Sequence, residues 1–153
     1  MSNIMWRYVD KRSASVAALK DYNSMQFILM HTDREVADAY DSLSSLRSIA
    51  PEFKGKSDNP TAAEERVASV LDQIDVLKKR YQEAKDYMNW FEPAWKELKE
   101  TERHVLEQFY LTDEVEQRYV IDTLAEEYSI ERTSVYKKKN RALDHLALLL
   151  YGL

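Results

Sequence analysis

The chain has 153 residues, with 2 Gly, 3 Pro and no Cys, and its 22 Lys and Arg stand against 27 Asp and Glu for a formal net charge of −5. A hydrophobic content of 44% excludes a disordered tail, the scarcity of Gly excludes a phosphate-cradling loop, and the absence of Cys excludes disulfides, thiolate zinc sites and thiol catalysis. Met1-Ser2-Asn3-Ile4-Met5-Trp6-Arg7 has no apolar signal core, and no run approaches the roughly 18 residues that span a bilayer, so the expectation is a cytoplasmic, all-α chain away from membranes.

The first segment, residues 16–49, reads as helical. Val36, Ala39, Leu43, Leu46 and Ala50 follow a seven-residue spacing, and Thr32-Asp33-Arg34-Glu35 fits a capping box. The segment is therefore either one long helix or two with a joint near His31-Thr32. Pro51, Gly55 and Pro60 fall together in residues 50–60, which marks a loop over 51–60. The next helix starts at Asp58-Asn59-Pro60 or at the capping box Thr61-Ala62-Ala63-Glu64.

From there Val67, Ile74, Tyr81, Met88 and Trp95 recur every seven residues, with Val70, Leu77, Ala84, Phe91 and Leu98 as the companion row. These rows form the a/d seam of a coiled coil. The seam serves either an antiparallel hairpin with residues 16–49 or a dimer through the same stripe. Pro93 is expected to kink or end the rod near Trp90-Phe91, because it removes an amide donor and crowds the preceding turn. Residues 1–92 then form a helical hairpin or coiled-coil module for oligomerisation or partner binding, and residues 93–153 a second domain.

Charge separates sharply in that second domain. Residues 101–128 carry 2 basic and 8 acidic groups, and residues 129–153 carry 5 basic and 2 acidic ones. Three apolar patterns predict three helices. Leu98, Val105, Leu106, Phe109 and Tyr110 mark the first, and Val120, Ile121, Leu124, Ala125 and Tyr128 the second. Ile130, Val135, Ala142, Leu143, Leu146 and Leu150 mark the third. Only Ser129-Ile130-Glu131 remains for the turn between the last two. Leu124, Tyr128, Ile130 and Val135 have the spacing of a helix-turn-helix core.

A recognition helix over about 132–146 then offers Arg132, Thr133, Tyr136, Lys137 and Asn140 outward, with Lys138 and Arg141 beside them. Arg132, Lys137, Lys138 and Arg141 suit phosphates, and Thr133, Tyr136 and Asn140 are placed for base edges. Lys139 is expected to flank the packed face. A bare Lys137-to-Arg141 charge run is more often a solvated helix face; the adjoining turn spacing tips the balance towards nucleic acid.

Leu98-Lys99-Glu100-Thr101-Glu102-Arg103-His104-Val105-Leu106 resembles the first helix of sigma-70 region 4 domains. Leu124-Ala125, Ile130, Ser134-Val135 and Arg141-Ala142-Leu143 continue that pattern. With its helical N-terminal half, the layout is similar to small phage transcriptional regulators of the RinA/ArpU type. The sequence departs at Ser129, where the family pattern has Gly, at Glu131, where it has Ser, and in a longer Leu111–Thr123 connection. The resemblance implies a sequence-specific, double-stranded-DNA-binding transcription regulator, phage or prophage encoded, with RNA polymerase as a further partner. The few phosphate contacts that one helix makes call for a homo-oligomer, a dimer foremost.

Two other readings use the same features: a DNA-packaging subunit like the small terminases, and a helical adaptor that binds no DNA. His31, His104 and His145 are scattered, and no nucleophile elbow, Walker loop or zinc signature is present. The sequence therefore predicts no enzyme, no metal and no cofactor.

Overall fold

The computed structural model describes residues 8–53 and 61–152. All regular structure among them is helical, in the order α1 (Lys11–Lys20), α2 (Tyr22–Phe53), α3 (Thr61–Glu97), α4 (Glu100–Tyr110), α5 (Glu114–Arg118), α6 (Val120–Tyr128) and α7 (Arg132–Tyr151). Among the described residues, no helix is long and apolar enough to cross a membrane.

Helix α1 starts on Asp10, whose carboxylate accepts the backbone N–H of Arg12 at 3.1 Å and of Ser13 at 3.2 Å, plus the Ser13 hydroxyl at 2.7 Å. The Ser13 hydroxyl, helped by the backbone amides, holds that carboxyl below its ordinary range. The joint before α2 is at Asp21, whose N–H bonds back to Ala18 and Leu19. The helix then continues unbroken through His31-Thr32. The capping box expected at Thr32–Glu35 therefore lies in a helix interior, and Thr32 is buried with its hydroxyl oxygen unpartnered.

Two further boundaries move. Helix α2 runs past Pro51 to Phe53, into the start of the expected loop, and the remainder of that loop lies outside the described residues. Helix α3 already includes Thr61, so the cap choice at Asp58–Pro60 also falls outside them. Pro93 does not end α3, which continues to Glu97. Burial of Ala94, Trp95 and Leu98 holds the turn that lacks the proline's amide donor.

The chain divides into two compact units. In Met25–Tyr87, α2 and α3 run antiparallel. Arg80 Nη2 lies 3.4 Å from Glu35 Oε1, and Lys78 Nζ donates to the Tyr40 hydroxyl at 2.9 Å, so numbers rise in one helix as they fall in the other. Ala39, Leu43, Ile74, Leu77 and Ala84 are buried between them. Val36, Leu46, Val67, Val70 and Tyr81 of the same seven-residue rows are partly buried.

The other unit joins Met1–Ser24 to Met88–Leu153. Its helices α4, α6 and α7 meet at Val105, Leu124 and Val135, with Phe109, Ile121, Ala125, Tyr128 and Ile130 around them. Full burial of each such side chain stabilises by about 1.5–3 kcal/mol. Helix α1 packs on α7 and also touches α4, a placement the sequence reading did not anticipate. Tyr22 closes the same unit with its ring 5.6 Å from Phe91 and 5.9 Å from Trp95.

Candidate nucleic-acid interface

The geometry of α7 is set by the three residues before it. Ser129 takes a left-handed conformation, φ 53 and ψ 48, the one positive φ at a non-Gly residue among the described residues. Its N–H bonds to Glu126 O at 3.3 Å, and the Ile130 N–H returns to Ala125 O at 2.9 Å. Those two bonds make a Schellman closure, normally a glycine position, with Ile130 supplying the accompanying apolar contact. Glu131 then turns extended, φ −72 and ψ 156, and its carbonyl accepts from Ser134 at 2.9 Å and Val135 at 3.2 Å. Its side chain makes no cap bond, so α7 begins without the Ser, Thr, Asn or Asp cap that favours helix starts.

Val135 is fully buried, as are Ala142, Leu143 and Leu146, and this fixes the rotation of α7. At 3.6 residues per turn, the side opposite that stripe carries Thr133, Lys137, Arg141 and Asp144, all exposed. Tyr136, exposed, and Asn140, half-buried, lie toward one flank. Lys138, half-buried, lies toward the other, with its ammonium 4.8 Å above the Tyr128 ring. Lys139 sits 5.2 Å from the Phe109 ring centre and 5.3 Å from that of Tyr136, against the packed side.

Arg132 is exposed, and its Nε lies 3.4 Å from Asp122 Oδ1 at the start of α6. Of the residues singled out from the sequence, Thr133, Lys137 and Arg141 thus make the outward line. Tyr136 and Asn140 edge it, Lys138 is drawn onto an aromatic ring, and Arg132 is held by a carboxylate.

The surrounding contacts orient this surface. His104 Nε2 lies 3.0 Å from Glu127 Oε1, joining α4 to α6, and His145 Nδ1 pairs with Glu102, joining α4 to α7. Desolvation, then the nearby Glu127 and Glu100 carboxylates, raise the Tyr128 hydroxyl above its ordinary pKa. Helix α5, capped by Asp113 accepting the Glu116 N–H at 2.8 Å, occupies the long connection before α6 and leaves Val115 and Tyr119 exposed. Among the described residues, no group of three His, Asp or Glu side chains is placed to hold a metal ion.

Sequence reasoning missed Arg12. Its guanidinium makes two bonds to Asp144, Nε to Oδ1 and Nη2 to Oδ2, both 2.9 Å. Lys11 Nζ donates to Gly152 O at 3.2 Å. A contact across 132 positions has no local signature.

The chain matches no protein-family model, no curated protein and no solved structure.

Proposed function

We propose that the protein is a sequence-specific DNA-binding transcription regulator, phage or prophage encoded, whose helix-turn-helix is α6, Ser129–Glu131 and α7. The observation that carries this reading is the exposed line Thr133, Lys137 and Arg141 on a helix anchored by Val135, directly after the Schellman turn. Lys137 and Arg141 lie one turn apart and neutralise phosphates, while Thr133, with Tyr136 and Asn140 on the flank, meets base edges. Lys138 contributes charge from the side, steadied by Tyr128.

Few phosphates are reached by one such helix, so useful affinity requires a second copy or a protein partner such as RNA polymerase. A homodimer is the expected assembly. The helical N-terminal half supplies the dimer contact, through the seven-residue stripe or through other surface of that half, where Phe27 and Met30 are exposed.

Selection of bound duplexes from a random pool, followed by gel shifts with the Lys137→Glu/Arg141→Glu variant, tests the function. Shifted duplex with the wild type and none with a folded variant supports it; equal shifts by both refute it. Mass in solution tests the assembly, since a ring of eight or more subunits would favour a packaging subunit over a regulator.

A further inference from the structure

The outward line of α7 does not end in a cation. From Thr133 to Arg141 it spans about 12 Å at 1.5 Å per residue, close to the roughly 12 Å width of a major groove. Asp144 follows on the same side of the helix, about 18 Å from Arg132, where the groove gives way to the flanking sugar-phosphate strand. A bare carboxylate there would repel a phosphodiester. Helix α1 changes that chemistry, because Arg12 grips both Asp144 oxygens side-on through Nε and Nη2.

A guanidinium has five N–H donors, and this arrangement uses two. Three remain, two of them on Nη1, and Arg12 makes no further side-chain bond among the described residues. Arg12 is also half-exposed, at 49% of its side chain. Asp10 accepts the backbone N–H groups of Arg12 and Ser13 and the Ser13 hydroxyl rather than the Arg12 guanidinium. Lys11, bonded to the Gly152 carbonyl, helps seat the start of α1 against the end of α7.

We propose that Arg12 is a phosphate-binding residue of the DNA interface, oriented by Asp144, and that α1 is therefore part of the DNA-binding surface. The inference rests on the proposed DNA-binding reading and adds a contact from outside the helix-turn-helix. Asp144 is a positioning residue: it fixes the guanidinium plane so that Nη1 faces the strand beyond the groove, a fork that a lysine cannot reproduce.

The test is a salt titration of binding to a fluorescein-labelled duplex taken from the random-pool selection, read by anisotropy. Each phosphate contact contributes about 0.9 to the slope of log K against log salt. Asp144→Asn is compared with Arg12→Gln/Asp144→Asn. The double variant removes both charges of the pair, and its thermal unfolding checks that α1 stays seated. The expected result is a slope shallower by about 0.9 in the double variant, so that between 1 M and 0.1 M salt its affinity falls about eightfold behind that of Asp144→Asn. An unchanged slope overturns the Arg12 contact while leaving the α7 reading in place. Failure of the wild-type chain to bind any selected duplex overturns both.

Discussion

Arg132, the first residue of α7, lies 3.4 Å through its Nε from the carboxylate of Asp122 in the first turn of α6. The two side chains are 70% and 66% exposed, so the pair contributes little to stability, about 0–1 kcal/mol. Its effect falls on binding, because Asp122 competes with a phosphate for the same guanidinium. Asp122→Asn is expected to tighten duplex binding severalfold at low salt with unfolding unchanged, and the gain should fade as salt rises. Anisotropy titrations at two salt concentrations check this; weaker binding by the variant would show that the pair orients Arg132 usefully.

The central contact of the α4, α6 and α7 unit gives a sharper stability contrast. Leu124 is 1% exposed within the Val105 and Val135 cluster, so Leu124→Ala should cost about 2–5 kcal/mol. Thr133→Ala, on the outward line of the same unit, should stay within about 0.5 kcal/mol. Urea unfolding of both variants measures the difference, and a large loss at Thr133 would mean that α7 is rotated from the orientation described.

Ser129 bears the cost of a left-handed backbone, about 1–2 kcal/mol for a residue with a Cβ. Ser129→Gly removes it but adds freedom to the unfolded chain. The net expectation is a gain of about 0.5–1 kcal/mol, read as a higher denaturation midpoint at equal m-value. Ser129→Val should lose about 1–2 kcal/mol instead, since branching at Cβ disfavours positive φ further. A destabilised glycine variant would show that the Ser129 side chain makes a contact that outweighs the strain.

Burial raises the hydroxyl pKa of Tyr110, and desolvation is also the first cause at Tyr22, Tyr128 and Tyr151. A pKa raised on folding means that the unfolded chain ionises first. The stabilisation is complete below about pH 10 and is lost as pH rises through the folded values. Denaturation midpoints should therefore fall above pH 10, and Tyr110→Phe should make that fall less steep. An alkaline profile identical to the wild type would contradict the cause assigned to Tyr110.

The all-helical character was legible because two Gly and three Pro leave few places to break a helix. The turn at Ser129–Glu131 was legible for the same reason: the flanking rows of Leu124, Tyr128 and Val135 left three residues between them. The capping box at Thr32 left one helix or two open, because it is a local signal. Here Leu29 and Val36 extend one stripe across it, and packing buries the threonine within α2. Of the two outcomes expected at Pro93, an end does not occur, since buried Ala94 and Trp95 carry α3 beyond it. The Arg12–Asp144 pair was not legible, because nothing at either position announces a partner 132 residues away. The flanks of α7 were only half legible. Periodicity placed Lys138 near the outward side, but the Tyr128 ring beneath its ammonium belongs to tertiary structure.

Dimethyl sulfate footprinting on a selected duplex tests the central claim most directly, because guanine N7 lies in the major groove and adenine N3 in the minor groove. With α7 in the major groove, the protein should protect guanine N7 positions within one half-turn per bound copy, and Lys137→Glu/Arg141→Glu should abolish the protection. Protection confined to adenine N3, or N7 protection that survives in the folded variant, would contradict it.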